Sequence, residues 1–162
     1  MERVSKHNYY LDIAQTVAER STCLRTKYGA IIVKNDVIVS TGYNGAPRDR
    51  QNCADIGSCI RDQLKIPRGE RYELCRAVHS EANAIIAASR EQMLGATLYM
   101  SCVDAKTGEL VCDTNCCMMC KRMVINAGIE TVIIRTGSST FRTIPVLSWV
   151  EDDDSLSGKF GY

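Results

Sequence analysis

The sequence lacks an excess of charge of either sign, since 20 lysines and arginines against 19 acidic residues leave a formal charge of +1. Proteins that hold nucleic acid by its phosphates usually carry a clear basic excess, so this balance argues against a nucleic-acid partner. No uninterrupted apolar run approaches the roughly 18 residues that a membrane-spanning helix needs. The opening residues, MERVSKHNYYLDIAQ, contain no apolar segment typical of a secretory signal. These absences predict a cytoplasmic protein with no membrane partner.

Cysteine, in contrast, is abundant, with nine residues in a chain of 162. In a small secreted protein this number would indicate disulfides, whereas in a cytosolic chain metal ligation is the better interpretation. Because nine is an odd number, the cysteines cannot all be paired in disulfides within one chain. The cysteines therefore direct attention to metal sites.

The order of the predicted elements indicates an α/β fold. The hydrophobic pattern predicts a helix over 7–22, a strand pair in GAIIVKNDVIVSTGYNG, a helix over about 75–91, a strand over 96–101, a helix closed by Gly128 and a buried strand in TVIIRT. Because strands are followed by helices twice, we expect a three-layer α/β/α domain around a mixed sheet of about five strands.

The chain length favours one domain, which we place at residues 1–150. Within it, residues 46–74 contain Pro47, Pro67 and many charges, and we expect them to form an irregular, cysteine-rich excursion. Residues 151–162 are acidic and then small and polar, which predicts a poorly ordered tail without a function.

Two short motifs supply candidate metal ligands. His79 begins one predicted helix, and Cys117 and Cys120 begin another. One histidine and two cysteines give zinc three ligands and leave a fourth position open, which is typical of a catalytic site. In the stretch NCCMMC, however, both Cys116 and Cys117 share a helical face with Cys120, so the spacing alone does not choose between them.

Glu81 follows His79 by two residues, too close to be a comfortable fourth ligand on the same helix. It is well placed to take a proton from a water molecule at the open position and to pass it to a ring nitrogen and a leaving amine. Taken alone, the CxxC pair also fits a redox pair or half of a structural zinc site. The two motifs together, in this order, are far more specific for a catalytic zinc site.

HSEANAI followed by CxxC resembles the zinc-dependent cytidine deaminase superfamily, in which zinc-activated water attacks C4 of cytosine or C6 of adenine. The resemblance implies that His79, Cys117 and Cys120 bind zinc and that Glu81 is the proton shuttle. Cys116 then stands where the family usually has proline, and is expected to be a bystander.

Longer blocks, over about residues 23–135, narrow the resemblance to the deoxycytidylate (dCMP) deaminase branch: GAIIVKNDVIVSTGYNGAP, HSEANAI, GATLYMS and CKRMVINAGIETVI. The branch implies hydrolysis of dCMP to dUMP and ammonia for pyrimidine deoxynucleotide synthesis. It also implies a homo-oligomer, a hexamer, activated by dCTP and inhibited by dTTP. Asn44 of GYNG would lie near the nucleotide sugar, and Arg90 would help to hold the 5′-phosphate.

The chain departs from the branch in its longer link over 102–115 and in lacking a tyrosine between Tyr99 and Tyr162. Phosphate recognition is therefore expected to differ. Two alternatives stay open: a deaminase of another cytosine nucleoside or nucleotide or of tRNA adenosine, and a non-catalytic zinc-binding module of the same fold.

Four further cysteines, Cys23, Cys53, Cys59 and Cys75, fit one tetrahedral structural zinc. The resemblance implies such a structural zinc in some members of the branch, bound by cysteines that match Cys23 and Cys53. We infer Cys59 and Cys75 as the other two ligands. A metal would hold the excursion in one shape. The alternative is that Cys23 and Cys75 are buried small hydrophobic residues.

Overall fold

The structure is a computed structural model, and it describes residues 1–158 of the chain. Within these residues, five strands form one mixed sheet in the order β2-β1-β3-β4-β5. The pairs β1–β2, β1–β3 and β4–β5 are antiparallel, and β3–β4 is parallel. The strands are β1 Thr26–Lys34, β2 Val37–Tyr43, β3 Thr97–Asp104, β4 Thr131–Arg135 and β5 Phe141–Pro145. The predicted mixed α/β sheet is confirmed.

Helices cover both faces of the sheet. Helix α1 packs against β1 and β3, and α4 packs against β2, β1 and α6. The helices are α1 Lys6–Ala18, α2 Cys53–Ile56, α3 Ile60–Gln63, α4 Ser80–Ile86, α5 Arg90–Met93, α6 Met118–Ala127 and α7 Leu147–Glu151. Two 3₁₀ turns, Tyr72–Leu74 and Asp154–Leu156, complete the described part.

The alternation of side chains along the strands divides the core into two clusters. Ile32, Leu98 and Val132 face α4 and α6, whereas Ile31 and Tyr99 face α1. This two-residue period buries both faces of β1, β3 and β4, which is why these strands read as continuous apolar runs.

Two predicted helices differ from the observed ones. Helix α1 ends at Ala18, since the hydroxyl of Ser21 turns inward to donate to Asn44 Oδ1 at 2.6 Å. The predicted helix over 75–91 is wrong as a continuous element. Val78 is extended and pairs with Gly45, and Ser89 caps a separate helix, α5, by accepting from the Gln92 amide.

The sequence pattern did not predict β5 or α7. The acidic tail is also more structured than expected up to residue 158, because Asp154 accepts a hydrogen bond from the side-chain nitrogen of Lys121 at 3.0 Å. The rest of the predicted tail, 159–162, lies outside the described residues. No helix among residues 1–158 has the length and apolar character that a membrane crossing requires.

Candidate active site

Three predicted ligands meet at the N-termini of α4 and α6. His79 is the N-cap residue of α4 and Cys117 that of α6, where its sulfur accepts from the Cys120 amide at 3.5 Å. The Nδ1 atom of His79 lies 3.4 Å from each of the two sulfurs, and all three ligand atoms lie within 4.8 Å of one another.

This geometry fits zinc. Tetrahedral zinc with sulfur at about 2.3 Å and nitrogen at about 2.0 Å places those two ligand atoms about 3.5 Å apart. The 3.4 Å separations between His79 Nδ1 and the sulfurs of Cys117 and Cys120 match that value. The set has one imidazole and two thiol groups, the donors that zinc prefers.

The protein environment already favours one thiolate. A hydrogen bond with Cys120, together with the partly charged ring of His79, lowers the pKa of Cys117 to about 4 although burial opposes this. The same hydrogen bond, together with burial, raises the pKa of Cys120. Burial opposes charge on His79, but hydrogen bonds with Cys117 and Cys75 outweigh it and raise its pKa to about 10. These shifts favour a thiolate on Cys117 beside a protonated His79 ring.

Glu81 lies in the first turn of α4, 4% exposed, beside this cluster. The Ser80 hydroxyl donates to its Oε2 atom at 3.0 Å. Burial and then the charge and hydrogen bond of Glu81 raise the pKa of Cys116, so this thiol stays protonated and faces the carboxylate. The Ser80 hydroxyl thus holds the Glu81 carboxylate, and the Cys116 thiol lies beside it.

The cluster opens into a cavity of about 260 Å³, lined among others by His79, Glu81, Cys117 and Asn44. The Asn44 amide oxygen accepts from the Tyr28 backbone at 2.8 Å, and its Nδ2 donates to the Thr26 carbonyl at 3.0 Å. These bonds fix the amide and leave one of its two N–H groups for a ligand. The structure therefore brings Asn44 to the same cavity as the metal ligands.

Arg90 is not brought there. It is exposed, begins α5 and is absent from the residues that line the cavity. The expectation placed it on the same helical face as His79, but the helix is interrupted at 87–89, so that argument fails.

The four remaining predicted ligands, Cys23, Cys53, Cys59 and Cys75, lie near one another, but their sulfur atoms are not clustered as those of a metal site would be. Burial raises the pKa of Cys53, and the nearby thiols of Cys23, Cys59 and Cys75 raise it further. Among residues 1–158, however, the His79 cluster is the only set of three or more His, Cys, Asp or Glu side chains whose ligand atoms all lie within 4.8 Å of one another. Cys23, Cys59 and Cys75 also line the active-site cavity.

Two residues of the excursion support the site and were not predicted. The ring of Tyr72 lies edge-on to that of His79, with centroids 4.9 Å apart. The guanidinium of Arg61 lies 4.3 Å from the Tyr72 ring centroid and donates to the Pro67 and Glu70 carbonyls. No periodic pattern marks these residues in the sequence, because they act only once the excursion folds back on α4.

Comparisons with known proteins agree with this site. The family model described as "Cytidine and deoxycytidylate deaminase zinc-binding region" matches residues 4–136. A deoxycytidylate deaminase of Mycobacterium phage D29 is 36% identical over 138 residues, which cover 82% of this chain and 96% of the phage protein. A deoxycytidylate deaminase of Schizosaccharomyces pombe is 31% identical over 134 residues, 83% of this chain but 38% of the yeast protein.

Among solved structures, the apo form of a dCMP deaminase from cyanophage S-TIM5 has a TM-score of 0.56 at 26% identity, covering 80% of this chain and 81% of that one. The fold and site together are those of an α/β protein with a cluster of metal-binding side chains and a buried carboxylate beside it. The chain belongs to the cytidine and deoxycytidylate deaminase family.

Proposed function

We propose that this protein catalyses the hydrolytic deamination of dCMP to dUMP and ammonia. The observation that carries the proposal is the buried carboxylate of Glu81 in the cavity that His79 and Cys117 also line, beside a cluster of three ligands, His79, Cys117 and Cys120, that leaves a fourth position open. A structural metal site has no use for such a carboxylate. The names of the phage and yeast relatives support dCMP as the substrate.

When bound, zinc would act as a Lewis acid that lowers the pKa of water toward neutrality. Glu81 would accept one proton from that water and deliver it to the ring nitrogen, and would then carry the second proton, from the hydroxyl added to the ring carbon, to the amine, which leaves as ammonia. The Ser80 hydroxyl holds its carboxylate in place. Asn44 would orient the nucleotide through its remaining N–H.

An ammonia-release assay on the zinc-loaded protein with dCMP, CMP, deoxycytidine and tRNA tests the substrate. We expect dCMP to give the highest kcat/KM. Release from tRNA or from the nucleoside alone would support a deaminase with another substrate. Failure on all four substrates, with zinc bound, would support a non-catalytic module.

We propose that a second, structural zinc is bound by Cys23, Cys53, Cys59 and Cys75. Their proximity supports this, since all three other thiols affect the pKa of Cys53. Metal analysis should give two zinc ions per chain, and one in Cys53→Ser, which should lose thermal stability before activity. A single zinc in fully active wild type would contradict the second site.

We also propose that the protein is a homo-oligomer, a hexamer, and that dCTP activates it and dTTP inhibits it. The resemblance supports this, as do exposed apolar side chains such as Ile86 of α4, 75% exposed, and Leu147 of α7, 61% exposed. Light scattering on the purified protein and rates at varied dCTP and dTTP test this part. A monomer with unchanged rates would contradict it.

A further inference from the structure

The His79 ring packs against an aromatic side chain of the cysteine-rich excursion. A metal-binding histidine usually donates its second ring N–H to a carboxylate, a carbonyl or a water molecule, which orients the ring for the metal. Among residues 1–158, no carboxylate or carbonyl oxygen lies within hydrogen-bonding distance of the His79 ring. Its Nδ1 atom faces the sulfurs of Cys117 and Cys120, and the ring of Tyr72 lies against it.

Tyr72 meets His79 in a geometry that restricts rotation of the imidazole. The two ring planes are nearly perpendicular, at 83°, and their centroids are 4.9 Å apart. Perpendicular aromatic pairs at this distance attract each other, so rotation of either ring away from the other is disfavoured. The contact therefore favours the orientation in which Nδ1 of His79 faces the two sulfurs.

Tyr72 needs an anchor of its own, because it belongs to a short 3₁₀ turn, Tyr72–Leu74, within an irregular segment. Arg61 of α3 supplies this anchor. The central carbon of its guanidinium lies 4.3 Å from the centroid of the Tyr72 ring. Such a contact between a cation and an aromatic face strengthens when water is excluded. The Tyr72 hydroxyl also accepts from the Gly69 amide at 3.2 Å.

Arg61 is fixed in turn by the backbone of the excursion. The residue is 5% exposed, and its Nη2 atom donates to the Pro67 carbonyl at 2.9 Å and to the Glu70 carbonyl at 2.7 Å. Moving the guanidinium would break both bonds inside the protein, where leaving a charged donor without a partner is costly. Contacts therefore run from the backbone over 67–70 through Arg61 and Tyr72 to His79.

We propose that Tyr72 is a positioning residue that holds the His79 ring ready to bind zinc, and that Arg61 acts on this site through Tyr72. The assignment rests on the proposed function, since it concerns the zinc that would activate water there. It connects the excursion to the catalytic site through two side chains that bind no metal.

The zinc affinity of the His79 site, measured by competition with a chelator, tests the assignment. This site is the one that Cys117→Ala removes. In Tyr72→Leu its affinity should fall about 10- to 100-fold, as expected when a residue that orients a metal-binding histidine is lost. Tyr72→Phe keeps the ring and loses only the hydroxyl, so its affinity should stay within about threefold of the wild type.

A double variant tests the route from Arg61. Arg61→Met alone should weaken zinc binding at the His79 site, and adding it to Tyr72→Leu should cause no further loss, because residues in one chain of contacts do not contribute independently. In the zinc-loaded Tyr72→Leu variant, kcat for dCMP should fall while KM changes less than about threefold, since the ring orientation acts on the reacting centre.

Two variants are matched controls. Arg135 is also 5% exposed and donates to the Asn8 carbonyl, but on the face of the sheet that α1 covers. Arg135→Met should therefore lower the free energy of unfolding without changing the zinc affinity of the His79 site. Tyr9→Leu removes a ring whose centroid lies 5.1 Å from that of Tyr10, away from the cavity, and should also leave zinc affinity unchanged.

Wild-type zinc affinity in Tyr72→Leu, or a raised KM with unchanged zinc affinity, would overturn the positioning role of Tyr72. Further loss of affinity in the double variant would overturn the route from Arg61. Circular dichroism confirms folding, and Tyr72→Met, which also lacks the ring, replaces Tyr72→Leu if the latter does not fold. A zinc-loaded wild type without dCMP deamination would overturn the proposed function, whereas weakened zinc binding in Tyr72→Leu would still support the role of Tyr72.

Discussion

Cys116 and Cys117 are adjacent in the chain but face different partners. The sulfur of Cys117 lies 3.4 Å from His79 Nδ1, whereas the Cys116 thiol is fully buried near Glu81. Burial holds the pKa of Cys116 well above its usual value, so it is a poor source of the thiolate that zinc requires. Geometry thus favours Cys117 as the ligand, a choice that the spacing left open.

Cys117→Ala should lose the zinc of the His79 site, and Cys116→Pro should keep it. Proline at position 116 removes the amide that donates to Asn115 Oδ1, at a cost of about 1 kcal/mol, but no ligand. Elemental analysis of the purified variants measures the zinc. Zinc loss in Cys116→Pro together with retention in Cys117→Ala would reverse the ligand assignment.

His79, Glu81 and Cys120 could be predicted because their motifs are short and local, whereas Cys117 was chosen over Cys116 only through the family resemblance. The role of Tyr72 could not be predicted in this way. Its contact with His79 depends on how an irregular segment folds back, and that path is set by the buried guanidinium of Arg61 rather than by a local pattern.

At the scale of elements, α4 carries both His79 and Glu81 and lies directly on β2. The contact is close at Gly42, where a Cβ atom would overlap the Ser80 carbonyl oxygen and the Ala84 amide nitrogen. Glycine here lets the helix backbone approach the strand, and the distance between them sets the position of the first turn of α4.

Gly42→Ala should therefore displace α4, lowering the free energy of unfolding by about 1–3 kcal/mol and reducing kcat for dCMP. Urea unfolding and steady-state kinetics measure the two effects. In the control Gly45→Ala, the added Cβ meets the movable Thr22 hydroxyl at 3.1 Å and should change both quantities much less. Equal, small effects in both variants would show that the packing of α4 against β2 does not depend on a glycine at position 42.

The strands were easier to predict than the helices around them. In β1 the run GAIIVK is buried on both faces over most of its length. The sequence alone therefore predicts a strand there, without knowledge of distant contacts. The break at 87–89 could not be predicted, because AIIAASR is compatible with a continuous helix and the interruption comes from the capping of α5 by Ser89. β5 was missed because its side chains are mostly exposed.

For the whole molecule, zinc binding is linked to protonation. The pKa of His79 is raised to about 10 and that of Cys120 is also raised, whereas that of Cys117 is lowered, so at pH 7 these shifts favour a proton on His79 and Cys120 but not on Cys117. Zinc binds neutral imidazole and thiolates, so its uptake at this site should release about two protons.

The apparent zinc affinity of this site should therefore rise by about 100-fold per pH unit near neutrality and fall as the pH is lowered. Calorimetric titration in buffers of different ionisation enthalpy measures the proton release, with Cys53→Ser used to isolate this site. An affinity independent of pH between pH 6 and 8 would contradict these protonation states of His79 and Cys120.

The conversion of dCMP by wild type and Glu81→Gln, each with its zinc content measured, tests the central claim most directly. Glutamine keeps the shape of the side chain but cannot accept the proton, so turnover should fall at least about 1,000-fold. We expect dUMP and ammonia in equal amounts from the wild type and a full complement of zinc in both proteins. Substantial turnover by zinc-loaded Glu81→Gln, or none by zinc-loaded wild type, would contradict the role of Glu81 and zinc in dCMP deamination.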